Sequence, residues 1–170
     1  MMKNIFKSPD WVPCVPVGMR VLITGATGGL GRALVRMMLK GSTCMIGAHG
    51  SSRKPEFEDD RIIPLSQTFR DENSCCALVD NYVEQSGGID ALVILSGSIG
   101  YSGHWMDMSS GDWENEICVN LNHPFYLARK AMKYMISQKT GGRIIFTGTE
   151  SALHGGSSSS FPYAISKRGT

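Results

Sequence analysis

Residues 19–39, MRVLITGATGGLGRALVRMML, carry the most constraining pattern in this chain of 170 residues. A short apolar run, Val21-Leu22-Ile23, leads into a glycine-rich turn, Thr24-Gly25-Ala26-Thr27-Gly28-Gly29-Leu30-Gly31. Leu30, Leu34, Met37 and Met38 then recur at helical spacing. Strand, glycine turn and helix in that order are the context in which such a loop holds a nucleotide. Gly25 can take a backbone conformation that other residues avoid, so it turns the chain sharply out of the strand. Gly29 and Gly31 lack a Cβ, which lets a pyrophosphate and the strand come close to the helix start. The free N–H groups there and the positive end of the helix dipole would face the phosphates. Gly25, Thr27, Gly28, Gly29, Leu30 and Gly31 are therefore the candidate phosphate-binding residues. No Gly-Lys-Ser/Thr follows, so a dinucleotide is favoured over an ATP-type loop. On the glycines alone, an ordinary tight strand-to-helix turn is the alternative.

The rest of the chain repeats the alternation. Apolar runs predict strands over 43–48, 61–65, 89–95 and 143–147, and helical spacing predicts helices over 71–85 and 112–138, with a further helix opening at Tyr163. Gly41, Gly87-Gly88 and Gly141-Gly142 are the expected stops. In the long helix Asp112 reads as the N-cap, Glu114 and Glu116 fall in the first turn, and Pro124 should bend it. Alternating strands and helices imply an α/β fold, a Rossmann-like doubly wound parallel sheet in three α/β/α layers. The end of the second strand is where such a site reads the adenosine ribose. No acid occurs there before Glu56, whereas His49, Arg53 and Lys54 are available, which favours NADP, with NAD as the alternative. Ser96 and Gly97, after the fourth strand, should face the cofactor as well.

Composition narrows the function classes. A formal charge of +2 with no basic block gives no reason to expect nucleic acid. No apolar run approaches the roughly 18 residues of a membrane span. Residues 1–18 are broken by Pro9, Pro13 and Pro16 and lack the apolar region of a signal peptide, so they read as an extended arm before a domain over 19–170. The five cysteines have no metal-like spacing, so no metal is expected and a reduced, cytoplasmic setting is. Cys44 and Cys118 sit in apolar context and read as core.

Tyr163-Ala164-Ile165-Ser166-Lys167 puts a phenol and an ammonium four residues apart, on one helix face. An ammonium beside a phenol favours the ionised phenol and so fits it for proton exchange with an alcohol or carbonyl. Alone, such a pair is more often a surface pair. Here it follows the glycine turn, then Asp112-Trp113 with Val119-Asn120-Leu121 and Phe125, then Gly142-Arg143-Ile144-Ile145. In this order and spacing the chain resembles the short-chain dehydrogenase/reductase family, the classical type within it, from about Arg20 to Thr170. The turn itself fits both the classical TGxxxGxG and the extended TGxxGxxG pattern.

The resemblance implies an NAD(P)-dependent oxidoreductase that interconverts a small-molecule alcohol and a carbonyl. It implies Tyr163 as the acid/base, Lys167 as the cation that favours its ionisation and holds the nicotinamide ribose, and Asn120 as the residue that positions a water next to Lys167. The family's catalytic serine falls where Gly148-Thr149 stand, so Thr149 is the first choice, with Ser151 as the alternative. Its Asn-Asn-Ala-Gly after the fourth strand is here Ile94-Leu95-Ser96-Gly97, and Ser66 takes the place of an acid that often contacts adenine. A 3-oxoacyl-carrier-protein reductase is the generic substrate expectation, and a homo-oligomer the expected assembly. The family fold also has a complete sixth helix, two more strands and a substrate lid, so the domain is expected to be incomplete at its C-terminus, with an uncovered sheet edge. A non-catalytic NAD(P)-binding or sensor protein, or an inactive fragment, is the alternative that the altered Leu95-Ser96 segment and the lost serine pair suggest.

Overall fold

The computed structural model describes residues 14–41 and 43–170. Five parallel strands, β1 (Arg20–Thr24), β2 (Met45–Gly50), β3 (Ile62–Ser66), β4 (Ala91–Ile94) and β5 (Arg143–Phe146), form one sheet in the order β3-β2-β1-β4-β5. Helices α1 (Gly29–Gly41), α2 (Glu72–Ser86), α3 (Ser110–Ile117), α4 (His123–Ser137), α5 (Ser151–His154) and α6 (Phe161–Arg168) connect or follow them. The strand alternation sorts the core into two layers. Leu22, Leu92 and Ile94 face α2 and α4, where they meet Leu78, Tyr82, Leu127 and Met135. Val21, Ile23, Ala91 and Val93 face the other way, against Val35 and Met38 of α1. This is the three-layer, Rossmann-like α/β fold that the alternation predicts. The arm expected over 1–18 lies outside the described residues as far as position 13. Beyond it, Gly18 turns with a φ of 74°, and Met19 N–H donates to Pro16 O at 3.2 Å.

Two devices set the strands in register. Arg20 donates from its backbone N and its guanidinium to the Asp90 carboxylate, at 2.6 to 2.9 Å, tying the start of β1 to the start of β4. The same contacts hold the Asp90 carboxyl below its usual range. In β2, Gly47 leaves room for the buried ring of Tyr82, whose nearest carbon would lie 2.5 Å from a Cβ there; the hydroxyl donates to Met45 O. β5 is an edge strand, and Ile145 and Phe146 on it are exposed.

The long helix expected over 112–138 is two helices. Its N-cap is Ser109, not Asp112: the Ser109 hydroxyl accepts from Asp112 N–H at 3.1 Å. This cap lengthens the helix at its start and moves Glu116 from the first turn to the last. A wide, π-helical turn over Cys118–Asn122 then separates α3 from α4. Pro124 sits in the first turn of α4, directly after the wide turn. The extra residue in the wide turn rotates Asn120 into the protein, where it is fully buried.

Candidate active site

The glycine turn is built as a cradle. Gly25 has a φ of 71°, and a Cβ on it would lie 2.9 Å from Ser96 N. A Cβ on Gly31 would lie 2.3 Å from Gly25 O and 2.6 Å from Ala26 Cα, so the helix start rests directly on the turn backbone. Gly29 faces open space, with nothing within 4 Å of a Cβ there, and Leu30 is exposed. The first turn of α1 holds no acidic residue, so no carboxylate of its own offsets its positive end. Gly25, Thr27 and Gly28 line a crevice of about 490 Å³ at the carboxyl ends of β1, β2 and β4, together with His49, Ser51 and Ser52 on one side and Ser96, Gly97 and Ser98 on the other. Space at the exposed glycines, an uncompensated helix start and a crevice outside the strand ends are what a pyrophosphate requires, so the residues present fit a dinucleotide.

At one end of the crevice the structure departs from expectation. β2 runs to Gly50, two residues beyond the predicted end. The place of a Gly50 side chain is taken by Arg53 O, 2.1 Å from a Cβ there, and by Thr27. His49 is turned inward and 1 % exposed. Its Nε2 pairs with Gln67 O at 2.7 Å, its Nδ1 accepts from Gly25 N–H at 3.4 Å, and Phe69 stacks on its ring with centroids 4.7 Å apart. Burial pushes its pKa down, so near neutral pH His49 is an uncharged wall of the crevice and not a base for a phosphate. Arg53 is exposed and does not line the crevice. The other aromatic neighbour is His123, edge-on to Phe69 and within 3.3 Å of Cys118 Sγ, with its pKa also lowered by burial.

Two buried histidines whose pKa values burial lowers should make the fold acid-sensitive. Each has a folded pKa below its unfolded value, so as pH falls through about 6.5 the unfolded chain takes up protons that the folded chain refuses. Stability is then lost, by at most about 1.4 kcal/mol per pH unit from His49 and less from His123. Urea melts at pH 7.5 and 5.5 should show this loss, and His49→Gln should reduce it; a midpoint that does not move would refute it.

At the other end of the crevice, Asn120 and Lys167 converge on Gly97. A Cβ there would lie 2.9 Å from Asn120 Oδ1 and 3.2 Å from Lys167 Nζ, so only glycine lets the two groups face each other. Asn120 is clamped: Oδ1 accepts from Ser98 N–H at 3.1 Å, and Nδ2 donates to Ser98 O at 2.8 Å and to Glu116 Oε2 at 3.0 Å. Lys167 is 6 % exposed, and among the described residues no carboxylate pairs with it; burial pushes its pKa down. Its Nζ lies 5.9 Å from the centre of the Tyr163 ring, one turn earlier on α6. Ser96 is drawn back to β1, its hydroxyl 2.8 Å from that of Thr24. Thr149 stands apart. Its carbonyl accepts from Ala152 N–H at the start of α5, and among the described residues its hydroxyl makes no hydrogen bond to Tyr163, Asn120 or Lys167.

Sequence reasoning missed Glu116, Phe69 and His123. Glu116 is buried, and its Oε1 accepts from Gly100 N–H and from Tyr101 N–H, so it orders the loop after β4 as well as Asn120. The Ser109 cap three residues ahead of Asp112 was the available signal for its register. Phe69 stands in the irregular segment between β3 and α2, where no periodicity marks an inward side chain. Among the described residues no group of His, Cys, Asp and Glu could hold a metal ion, and no helix is long and apolar enough to cross a membrane.

Comparison with known proteins agrees with this fold. The family model described as short chain dehydrogenase matches residues 19–170. Nodulation protein G of Rhizobium meliloti is 30 % identical over 159 residues, covering 89 % of this chain and 62 % of its own. The 3-oxoacyl-(acyl-carrier-protein) reductase FabG of Vibrio harveyi is 29 % identical over 156 residues, with 89 % and 63 % covered. The 3beta-hydroxysteroid dehydrogenase 2 of Eggerthella lenta is 28 % identical over 149 residues, with 84 % and 57 % covered. The chain thus spans about three-fifths of the length of these curated relatives. Among solved structures, an NADH-dependent reductase A1-R' complexed with NAD superposes with a TM-score of 0.76 at 22 % identity, over 89 % of this chain and 68 % of that one, which shows the shared fold. A family match that begins at the first strand and runs through the Tyr163 helix is decisive, and the chain belongs to the short-chain dehydrogenase/reductase family.

Proposed function

We propose that this chain is the cofactor-binding and proton-transferring part of an NAD(P)-dependent oxidoreductase that interconverts an alcohol and a carbonyl. The observation that carries this is the meeting of Asn120 and Lys167 at Gly97, with Lys167 Nζ 5.9 Å from the centre of the Tyr163 ring. A bound nicotinamide would supply or accept the hydride. In the reducing direction the Tyr163 hydroxyl gives its proton to the carbonyl oxygen as the hydride reaches the carbon. Lys167, buried and easier to deprotonate than an exposed lysine, replaces that proton, and Asn120 holds the backbone of Ser98 in place beside it. Gly25, Thr27, Gly28, Gly29, Leu30 and Gly31 hold the pyrophosphate, and Ser96 and Gly97 border the nicotinamide side. NADP is the preferred cofactor in this proposal, with NAD as the alternative. The likeness to the Vibrio harveyi reductase supports a 3-oxoacyl thioester as the generic substrate. Exposed Phe125, Met132 and Ile136 on α4 support a homo-oligomer, and cysteines kept as thiols suit a cytoplasmic setting.

One observation favours a second reading. Among the described residues Thr149 makes no hydrogen bond to Tyr163, so it is not held where it would polarise a substrate carbonyl, as in a protein that binds NAD(P) without turning it over. Mixing the chain with NADPH and acetoacetyl thioesters separates the two. Oxidation of the reduced nicotinamide supports the enzyme. Tight cofactor binding with no oxidation of NADPH or NADH by any carbonyl tried would sink it in favour of the second reading.

A further inference from the structure

Beside the crevice lies a second cavity of about 450 Å³, at the carboxyl ends of β2 and β3, and Ser51 lines both. The partition between them is polar: Ser51 Oγ donates to Thr68 Oγ1 at 3.4 Å. The second cavity is lined by Ser66, Thr68 and Arg70 and is bounded by Asp71 and Ser74 at the start of α2. Arg70 is the one cation among its described lining residues. The backbone N–H of Arg70 is fixed to Ser74 Oγ at 2.9 Å, while among the described residues its guanidinium makes no hydrogen bond. The preceding residue, Phe69, is the ring stacked on His49 in the crevice wall. One dipeptide therefore contributes an aromatic ring to the crevice and a guanidinium to the cavity next door. Arg53 lines neither.

Proton transfer is placed at the Gly97 end, so a dinucleotide laid across the glycine turn has its adenosine at the Ser51 and Phe69 end. Ser51, which lines both spaces, sets the donors of the second cavity beside that end. We propose that Arg70, not Arg53, receives the 2′-phosphate of NADP, with Phe69 as the ring against which the adenosine packs; this rests on the cofactor reading proposed above. Guanidinium and phosphate pair through charge-assisted hydrogen bonds, and the hydroxyls of Ser51, Ser66 and Thr68 offer further donors. Asp71 opposes them. Its carboxylate accepts from Ser74 N–H at 2.8 Å and is held below its usual pKa by Ser74, so it remains an anion at the cavity wall. It caps the preference for NADP at a modest level.

Titration of the full chain with NADPH and NADH, by calorimetry, tests this. Arg70→Gln should weaken NADPH roughly tenfold or more and leave NADH unchanged, because only the phosphate contact is removed. Asp71→Asn keeps an N-cap and removes the opposing charge, so it should tighten NADPH severalfold without affecting NADH. Phe69→Leu should weaken both dinucleotides alike. If the wild-type chain prefers NADPH and Arg53→Gln, not Arg70→Gln, removes that preference, the inference fails while the NADP reading stands. If the wild-type chain prefers NADH, or binds neither, both fail.

Discussion

Gly31→Ala should destabilise the folded chain by about 3 kcal/mol and abolish dinucleotide binding, whereas Gly29→Ala should leave folding intact. Both positions lie in the first turn of α1, where alanine is the better helix former by roughly 0.5–1 kcal/mol. At Gly29 nothing lies within 4 Å of the added methyl, so the helical gain stands. At Gly31 the methyl would sit 2.3 Å from Gly25 O, 2.6 Å from Ala26 Cα and 2.9 Å from Ala26 C. These are backbone atoms of the turn, and they cannot rotate away as a side chain would. Gly25 O is also committed as the acceptor of Gly28 N–H, and Ala26 N–H donates to His49 O at the end of β2. Relief of the clash must therefore lift α1 from the sheet or break the turn. Overpacking usually costs about 1–3 kcal/mol, and an unyielding backbone neighbour puts this case at the upper end or above it. The clash outweighs the helical gain. Urea denaturation of both variants decides the matter: a Gly31→Ala midpoint equal to wild type would mean that the turn yields, and that its glycines serve the ligand alone. Gly29→Ala separately reports on the ligand, since its methyl occupies the open space offered to the phosphates; it should lower cofactor affinity at unchanged stability.

What was legible in the sequence was local. The apolar runs gave five strands because a parallel strand buried on both faces needs uninterrupted apolar residues, as in Ala91–Ile94. The glycine turn and the spacing of Tyr163 and Lys167 were legible for the same reason, since each pattern fits within a single turn or helix. What was not legible depended on register between elements. The inward direction of His49 follows from β2 extending to Gly50, and that extension is fixed by pairing with β3, where Gly50 sits opposite Ser66. Glu116 read as a first-turn charge because Asp112 looked like the cap, and moving the cap to Ser109 carried it inside. The wide turn over Cys118–Asn122 has no signature in a 3.6-residue pattern, yet it is what directs Asn120 toward Gly97. Arg53 was chosen as the base at the adenosine end by distance along the chain. In space the loop folds back over Gly50, and Arg53 is exposed while Arg70 lines the neighbouring cavity.

Tyr163→Phe should lower kcat by roughly 100- to 10,000-fold, the usual range for removing a positioned general acid, while the cofactor dissociation constant changes by no more than about threefold. The asymmetry follows from what the hydroxyl touches. Among the described residues it makes no hydrogen bond, so its removal leaves no partner stranded. The ring that lies 5.9 Å from Lys167 Nζ, and the carbonyl that accepts from Ser166 Oγ at 2.7 Å, are both kept. Folding and the shape of the crevice should therefore survive, and only the proton donor is lost. Lys167→Met should behave differently. It removes a buried cation whose charged form burial already disfavours, so the chain should melt no lower than wild type while both turnover and cofactor affinity fall. The pair of variants separates a proton-transfer role from a binding role at the same helix face. Turnover by Tyr163→Phe within tenfold of wild type would show that the proton comes from another group, and the hydroxyls of Ser98 and Ser96, both in the crevice wall, would be the next to replace.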